Sequence, residues 1–229
     1  GNLKASCKKT CYLENDDKNE VILKFQTQIN SCVNMFKGLN NLIEADLSNF
    51  DASKVTNMTS MFLGCTKLKK IYFGDIDTSS VKSIKEIFKL CEELTFIDMS
   101  KFNTKNLENM FDAFTNCYKL IAVNLKNFDT SKITIMRGIF CRCKSLKYAD
   151  LSSFQTSALT DVQFMFEECK DLIYADLSSF RISNTILTTM QFSEVNSNLK
   201  ICVNDRTTIS FMPGSRNECS DKCFNENIK

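Results

Sequence analysis

Cysteine recurs every 26 residues along this chain, at Cys65, Cys91, Cys117, Cys143 and Cys169. One such interval can arise by chance; five in step require a repeat. Four apolar series keep the same period. Leu42, Leu68, Leu94, Leu120, Leu146 and Leu172 form the first, and Leu47, Phe73, Met99, Leu125, Leu151 and Leu177 the second. Phe50, Ile76, Phe102, Phe128, Phe154 and Phe180 form the third, and Phe36, Phe62, Phe88, Phe114, Phe140 and Phe166 the fourth. A unit this short cannot bury its own apolar face. Stacked units can, each adding to one continuous core, so the pattern dictates a solenoid.

Within a unit the apolar spacing changes. Val55, Met58, Met61, Phe62 and Cys65 lie three, three, one and three residues apart, which predicts a short helix showing one face to the core. Thr56 or Asn57 is placed to cap it. Leu68, Ile71 and Phe73 then follow the spacing of a short strand, and Asp51-Ala52-Ser53-Lys54 has turn chemistry. The predicted unit is helix, strand, turn. Neighbouring strands would pair in parallel about 4.8 Å apart, and eight would span about 35 Å. Six come from the repeats, with Val21 to Phe25 and Leu199 to Val203 as a strand at either end. Leu172 to Leu199 is 27 residues rather than 26, and this loosening after Phe180 reads as an atypical last coil.

Units such as ADLSNFDASKVTNMTSMFLGCTKL and ADLSSFQTSALTDVQFMFEECKDL resemble the BspA-type leucine-rich repeats of microbial surface proteins. The shared pattern is D-L-S-x-F-D-T-S-x-V-T-x-M-x-x-M-F-x-x-C-x-x-L, over roughly residues 29 to 200. Gly74, Asp75 and Lys105 depart from it locally. The resemblance implies a right-handed α/β solenoid at a cell surface or outside the cell, with a binding, adhesive or structural role and no particular ligand. The chain divides into a Cys-containing linker or N-terminal cap (1–20), the repeat solenoid (21–204), and a C-terminal cap with a second Cys-containing linker (205–229).

Those flanks carry a second repetition. Cys7-x-x-x-Cys11-Tyr-x-Glu-Asn, ahead of the repeats, returns beyond them as Cys219-x-x-x-Cys223-Phe-x-Glu-Asn. One reading is a tandem array in which linker and solenoid alternate along a longer chain; the other is a duplicated cap motif in a stand-alone domain. The start, without an initiator Met or an apolar leader, reads as a processed product or a segment. In a tandem array each linker would send one Cys back and one forward, which suggests Cys202 with Cys219 and Cys11 with Cys32, leaving Cys7 and Cys223 for neighbouring modules. Connectivity is not fixed by sequence. The five-Cys ladder reads as buried, reduced thiols, and Cys141 as a partly exposed thiol on a helix flank. Zinc is disfavoured, because no C-x-x-C pair occurs.

Composition narrows the function classes. Twelve Cys in 229 residues favours an oxidising compartment, and so an extracellular or cell-surface location. A net charge of +2 gives no case for nucleic acid. No apolar run approaches the length of a membrane span. The chain has no His, which removes the commonest general base and metal ligand, and it has no Gly-rich phosphate loop. We therefore expect no enzyme, no cofactor and no metal. The outward strand positions form two ladders. Asp46, Tyr72, Asp98, Asn124, Asp150 and Asp176 make one; Glu44, Lys70, Phe96, Ala122, Tyr148 and Tyr174 make the other. Asp46, Tyr72, Phe96, Asp98, Tyr148, Asp150, Tyr174 and Asp176 are thus the candidate partner-binding face, for a protein or a glycan. Evenly spaced carboxylates of this kind do not wrap a calcium ion. Asn57-Met58-Thr59 is a glycosylation candidate at Asn57, equally readable as a plain cap. Two functions follow: a structural or adhesive extracellular module, one link of a disulfide-joined surface or filament protein meeting copies of itself or other modules; or a receptor-like recognition domain.

Overall fold

The computed structural model describes residues 28–181, 192–203 and 215–218. It is a parallel β-solenoid whose coils keep the period of the cysteine ladder. One short strand marks each coil: β1 (Glu44–Asp46), β2 (Lys70–Tyr72), β3 (Phe96–Asp98), β4 (Ala122–Asn124), β5 (Tyr148–Asp150), β6 (Tyr174–Asp176) and β7 (Lys200–Val203). An eighth strand, β8 (Ser215–Glu218), pairs in parallel with β7. Hydrogen bonding groups them as β1-β2, β3-β4 and β5-β6-β7-β8. Elsewhere in the coil a second parallel ladder runs through Ser31, Asn57, Ser83, Asn109, Ile135 and Asp161. The predicted strand over Val21 to Phe25 lies outside the described residues, and β8 has no counterpart in the sequence pattern.

The α/β expectation is corrected at the segment read as a helix. Among the described residues there is no helix. In residues 58–65 alternate amides take different partners. Met58, Ser60, Phe62 and Gly64 donate to carbonyls of the next coil at 2.8–2.9 Å, while Met61, Leu63 and Cys65 donate three residues back at 3.0–3.2 Å. Ser60 (φ 55°) and Gly64 (φ 75°) are left-handed, and the same two phases recur down the stack, even at Glu86, Leu90 and Phe164. This is a ribbon of reverse turns. An α-helix would spend nearly every amide on itself and needs about 8–10 Å from a neighbouring helix. Here Phe rings of successive coils lie only 5.0–5.9 Å apart, so helices would not fit. Successive turns also bring every third or fourth side chain inward, which is why the spacing mimics a helix.

The polar letters of the repeat close its corners. Asp46, Asp98, Asp150 and Asp176 each accept the amide of the Ser two residues on, at 2.8–3.1 Å. Asp51, Asp77 and Asp129 repeat the device at a second corner. Asn57, Asn109 and Asp161 do so at a third, so Asn57 closes a turn and caps no helix. Between them, the buried hydroxyls of Thr78, Thr104, Thr130 and Thr156 each accept an amide of the following coil at 2.7–2.8 Å, replacing a missing backbone partner.

Inside, the core is rows rather than a cluster. Phe36, Phe62, Phe88, Phe114, Phe140, Phe166 and Phe192 stack ring on ring. A second stack of Phe102, Phe128, Phe154 and Phe180 has 6.5 Å spacing. Coil two departs from the repeat at linked positions. Ile76 replaces the Phe of the second stack, and Phe73, larger than the Leu or Met elsewhere in its row, fills the space edge-on to Phe102 at 4.8 Å. Tyr72 replaces the corner Asp, and Gly74 turns without it at φ 58°.

Among the described residues, the loosening expected after Phe180 shows in the Leu row. Phe192 stacks on Phe166 at 5.2 Å, exactly where the next member of the Phe row belongs, and β6 pairs with β7 in the regular register, Asp176 opposite Cys202. The Leu is displaced, with Leu199 fully buried one place late.

Point substitutions test the stack. Phe114→Ala, in the middle of the long Phe row, should cost about 3–5 kcal/mol in urea unfolding. Gly38→Ala should cost only the left-handed penalty of about 1–2 kcal/mol, because nothing lies within 4 Å of its added Cβ. Gly74→Ala should cost distinctly more, because its Cβ would meet Ser48 Cα at 2.8 Å.

Candidate functional site

The outward face of β1 to β6 is built by the alternation of each three-residue strand: the middle residue turns to the core and its neighbours to solvent. Asp46, Tyr72, Phe96, Asp98 and Asp150 are exposed; Tyr148, Tyr174 and Asp176 are half-buried. Phe96 is 52% and Tyr72 45% exposed, against almost complete burial of the Phe stack, so these rings do not serve the core. Register pairs Phe96 with Ala122, Tyr148 with Tyr174, and Asp150 with Asp176. One oxygen of each Asp carboxylate closes a corner, which in Asp46 holds the carboxyl below the usual carboxylate range through the Ser48 hydroxyl and amide. The Tyr174 hydroxyl donates to Asp176 at 3.3 Å. No group of three or more potential metal ligands converges among the described residues.

The cysteine ladder lies inside the stack, at the end of the turn ribbon. Cys65, Cys91, Cys117, Cys143 and Cys169 are free and fully buried. Each thiol donates to the carbonyl of the Phe 29 residues earlier, from Phe36 through Phe140, at 3.1–3.2 Å. The ladder therefore ties each coil to the one before it. Cys32, expected as a bridge partner for Cys11, is a free thiol buried in the first described coil. Cys202 is disulfide-bonded. Cys7, Cys11, Cys219 and Cys223 lie outside the described residues. Burial pushes the Cys65 thiol to about 11 and that of Cys117 to about 12.

Sequence reading missed one feature on the turn side. Gly138 occupies the left-handed position held elsewhere by Ser60, Glu86, Asp112 and Phe164. The Asp112 carboxylate of the preceding coil reaches into the place that a Cβ would take there, and a surface depression of about 270 Å³ lies beside it, lined also by Phe164 and Glu167. Arg137 lies over the Phe164 ring at 4.8 Å, and Arg142 is paired with Glu168 at 2.8 Å. Thr115 donates to Gly138 O at 2.6 Å. Cys141 is not the partly exposed helix-flank thiol expected: it is buried, donates to Glu167 at 3.2 Å, and is pushed up to about 12 by burial and then by that carboxylate. A thiol so held is no nucleophile at neutral pH. The signal in the sequence was a Gly in this register between two arginines.

Asn57 is half-buried, with its side-chain oxygen taken by the Thr59 amide at 2.8 Å and the Thr59 hydroxyl engaged with Ser83 at 2.9 Å. No helix among the described residues is long and apolar enough to cross a membrane.

A family described as "Mycoplasma protein of unknown function, DUF285" matches residues 30–121 and 83–204. The two matches together run over most of the chain. This chain belongs to the DUF285 family. The second match begins two repeat periods after the first, to within a single position, so the family pattern is itself internally repeated. No curated protein matches the chain. The BspA-type resemblance is thus reduced to membership of a repeat family.

The raised thiols set a pH dependence. A thiol whose pKa rises from 9.0 to about 12 on folding, as in Cys117, adds stability that is complete below pH 9 and lost as pH climbs toward 12. Urea midpoints should be flat up to pH 9 and fall above it, and Cys117→Ala should soften that fall. Iodoacetamide at pH 8 should leave the ladder thiols unlabelled until urea unfolds the chain, as counted by intact mass.

Proposed function

We propose that this DUF285 chain is an extracellular, surface-exposed structural or adhesive module, one unit of a longer disulfide-joined chain. The observation that carries this reading is the duplicated C-x-x-x-C-[YF]-x-E-N motif, one copy at Cys7 and the other at Cys219, with the solenoid between them. The disulfide at Cys202 supports an oxidising compartment. The stacked coils support a load-bearing role: each is fastened to the next by backbone bonds, Phe rings, thiols and ion pairs such as Lys119–Glu93 (2.6 Å) and Arg142–Glu168 (2.8 Å). With Cys32 buried and free, the pairing proposed is Cys202 with Cys219, leaving Cys7, Cys11 and Cys223 for junctions. No catalytic role is proposed for any residue.

A second reading, recognition through the strand face, is favoured by the exposure of Tyr72 and Phe96 on a rigid sheet. The two readings are compatible in an adhesive protein.

Non-reducing peptide mass spectrometry of the chain should find Cys202 linked to Cys219; a Cys219–Cys223 or Cys7–Cys11 bridge would falsify the junction scheme. Electron microscopy of a protein carrying two successive copies of the chain should show two rods joined end to end with fixed geometry, which reduction makes variable.

A further inference from the structure

Within the strand face, aromatic–x–Asp recurs as Phe96-Ile97-Asp98, Tyr148-Ala149-Asp150 and Tyr174-Ala175-Asp176, and between the first two stands a strand without an aromatic residue, Ala122-Val123-Asn124. Phe96 and Ala122 are directly opposite in register, and Lys147 N reaches Ile121 O of the coil before it at 3.1 Å. Strand side chains stand roughly perpendicular to their sheet. Phe96 and Tyr148 are therefore two coils apart, about 9.6 Å at ordinary strand spacing, with a methyl group as the floor between them. Ring stacking begins at centroid separations of about 4.5 Å. One ring placed over Ala122 lies within that reach of both neighbours.

Polar groups line one side of the gap. Asp98 gives one oxygen to the Ser100 amide at 2.9 Å, and Asp150 gives one to Ser152 at 3.1 Å (amide) and 2.6 Å (hydroxyl). Asn124 gives its oxygen to the Lys126 amide at 3.2 Å. Each side chain is thereby held in place, with its second oxygen or its amide nitrogen not used by these bonds. The row reads acceptor, amide, acceptor. The opposite side carries Thr95 and Ile121, the latter 44% exposed.

We propose that Phe96, Ala122 and Tyr148 form a slot for one neutral sugar ring of a glycan, with Asp98, Asn124 and Asp150 receiving its hydroxyl edge. A pyranose has apolar C–H faces that stack on aromatic rings and hydroxyls that donate and accept around its rim, which matches rings on two sides and a fixed row of two acceptors and an amide donor on a third. An extended peptide fits less well. Strand addition needs a free backbone edge, and this face presents side chains. Acidic sugars are disfavoured, because the edge that receives the ligand carries the Asp98 and Asp150 carboxylates. The inference rests on the recognition reading of the strand face and names its ligand class.

The test is a glycan array probed with the full chain, holding neutral hexose and N-acetylhexosamine oligosaccharides beside their sialylated counterparts, followed by calorimetric titration of the best binder. We expect a neutral oligosaccharide to bind and its sialylated form to bind at least about tenfold more weakly. Phe96→Ala and Tyr148→Ala should each weaken binding about tenfold or more. Ala122→Tyr should abolish binding by filling the slot while leaving the thermal midpoint unchanged; Ala122→Gly, which keeps the slot open, should retain it. Failure of any neutral oligosaccharide to bind above the Phe96→Ala/Tyr148→Ala double variant overturns the proposal, as does a binder that Ala122→Tyr leaves untouched. A peptide array distinguishes the two levels of failure. Peptide binding lost in the double variant sinks the sugar and keeps the recognition reading. Adhesion of the chain to cells that the double variant leaves unchanged sinks both.

Discussion

The structure depends on a main-chain ladder that joins each coil to the next at strand-like spacing. Every second amide between Met58 and Gly64 crosses to the following coil, and the strands and the Ser31-to-Asp161 ladder do the same on other sides. Once the coils are that close, much else follows. Side chains at equivalent positions must sit on top of one another, so each row has to be self-compatible. Flat Phe rings, small thiols and threonine hydroxyls are; a branched side chain in a Phe row, as at Ile76, needs a compensating change beside it. The cost is a left-handed residue twice per coil, borne even by Leu90 and Phe164, and met by bonds that form only when the next coil is present.

That mutual dependence explains how departures from the repeat come in sets. Coil two loses a Phe at Ile76 and regains the volume at Phe73. It loses its corner carboxylate at Tyr72 and gains a glycine at Gly74 that turns without one. Gly138 follows the same rule: its missing side chain leaves room for the Asp112 carboxylate of the preceding coil, and Thr115 of that coil donates to its carbonyl.

The functional reading separates along the same lines. Inward rows are used up by folding. The corner Asp residues are half used, one oxygen closing a turn and the other outside that bond, so the strand face gets its rigid acceptors as a by-product of how the coil bends. The residues beside them, Phe96, Ala122 and Tyr148 among them, vary from coil to coil. On a solenoid, function is written in that variation.

The sequence by itself determined the period, the membership of each buried row and the positions that face outward. These are set by spacing alone: identical residues at a fixed interval must stack, and L-x-x-L-x-L alternation decides which side chains turn in. The helix expectation fails because a three-and-four spacing is common to an α-helix and to a run of reverse turns. What separates them is the distance to the next coil, roughly half of what two helices need, and no single unit contains that distance. The same holds for the reduced Cys32, the closed-in Cys141 and the in-register Phe192. Each was decided by what the neighbouring coil places against it, a fact that exists only once the stack is formed.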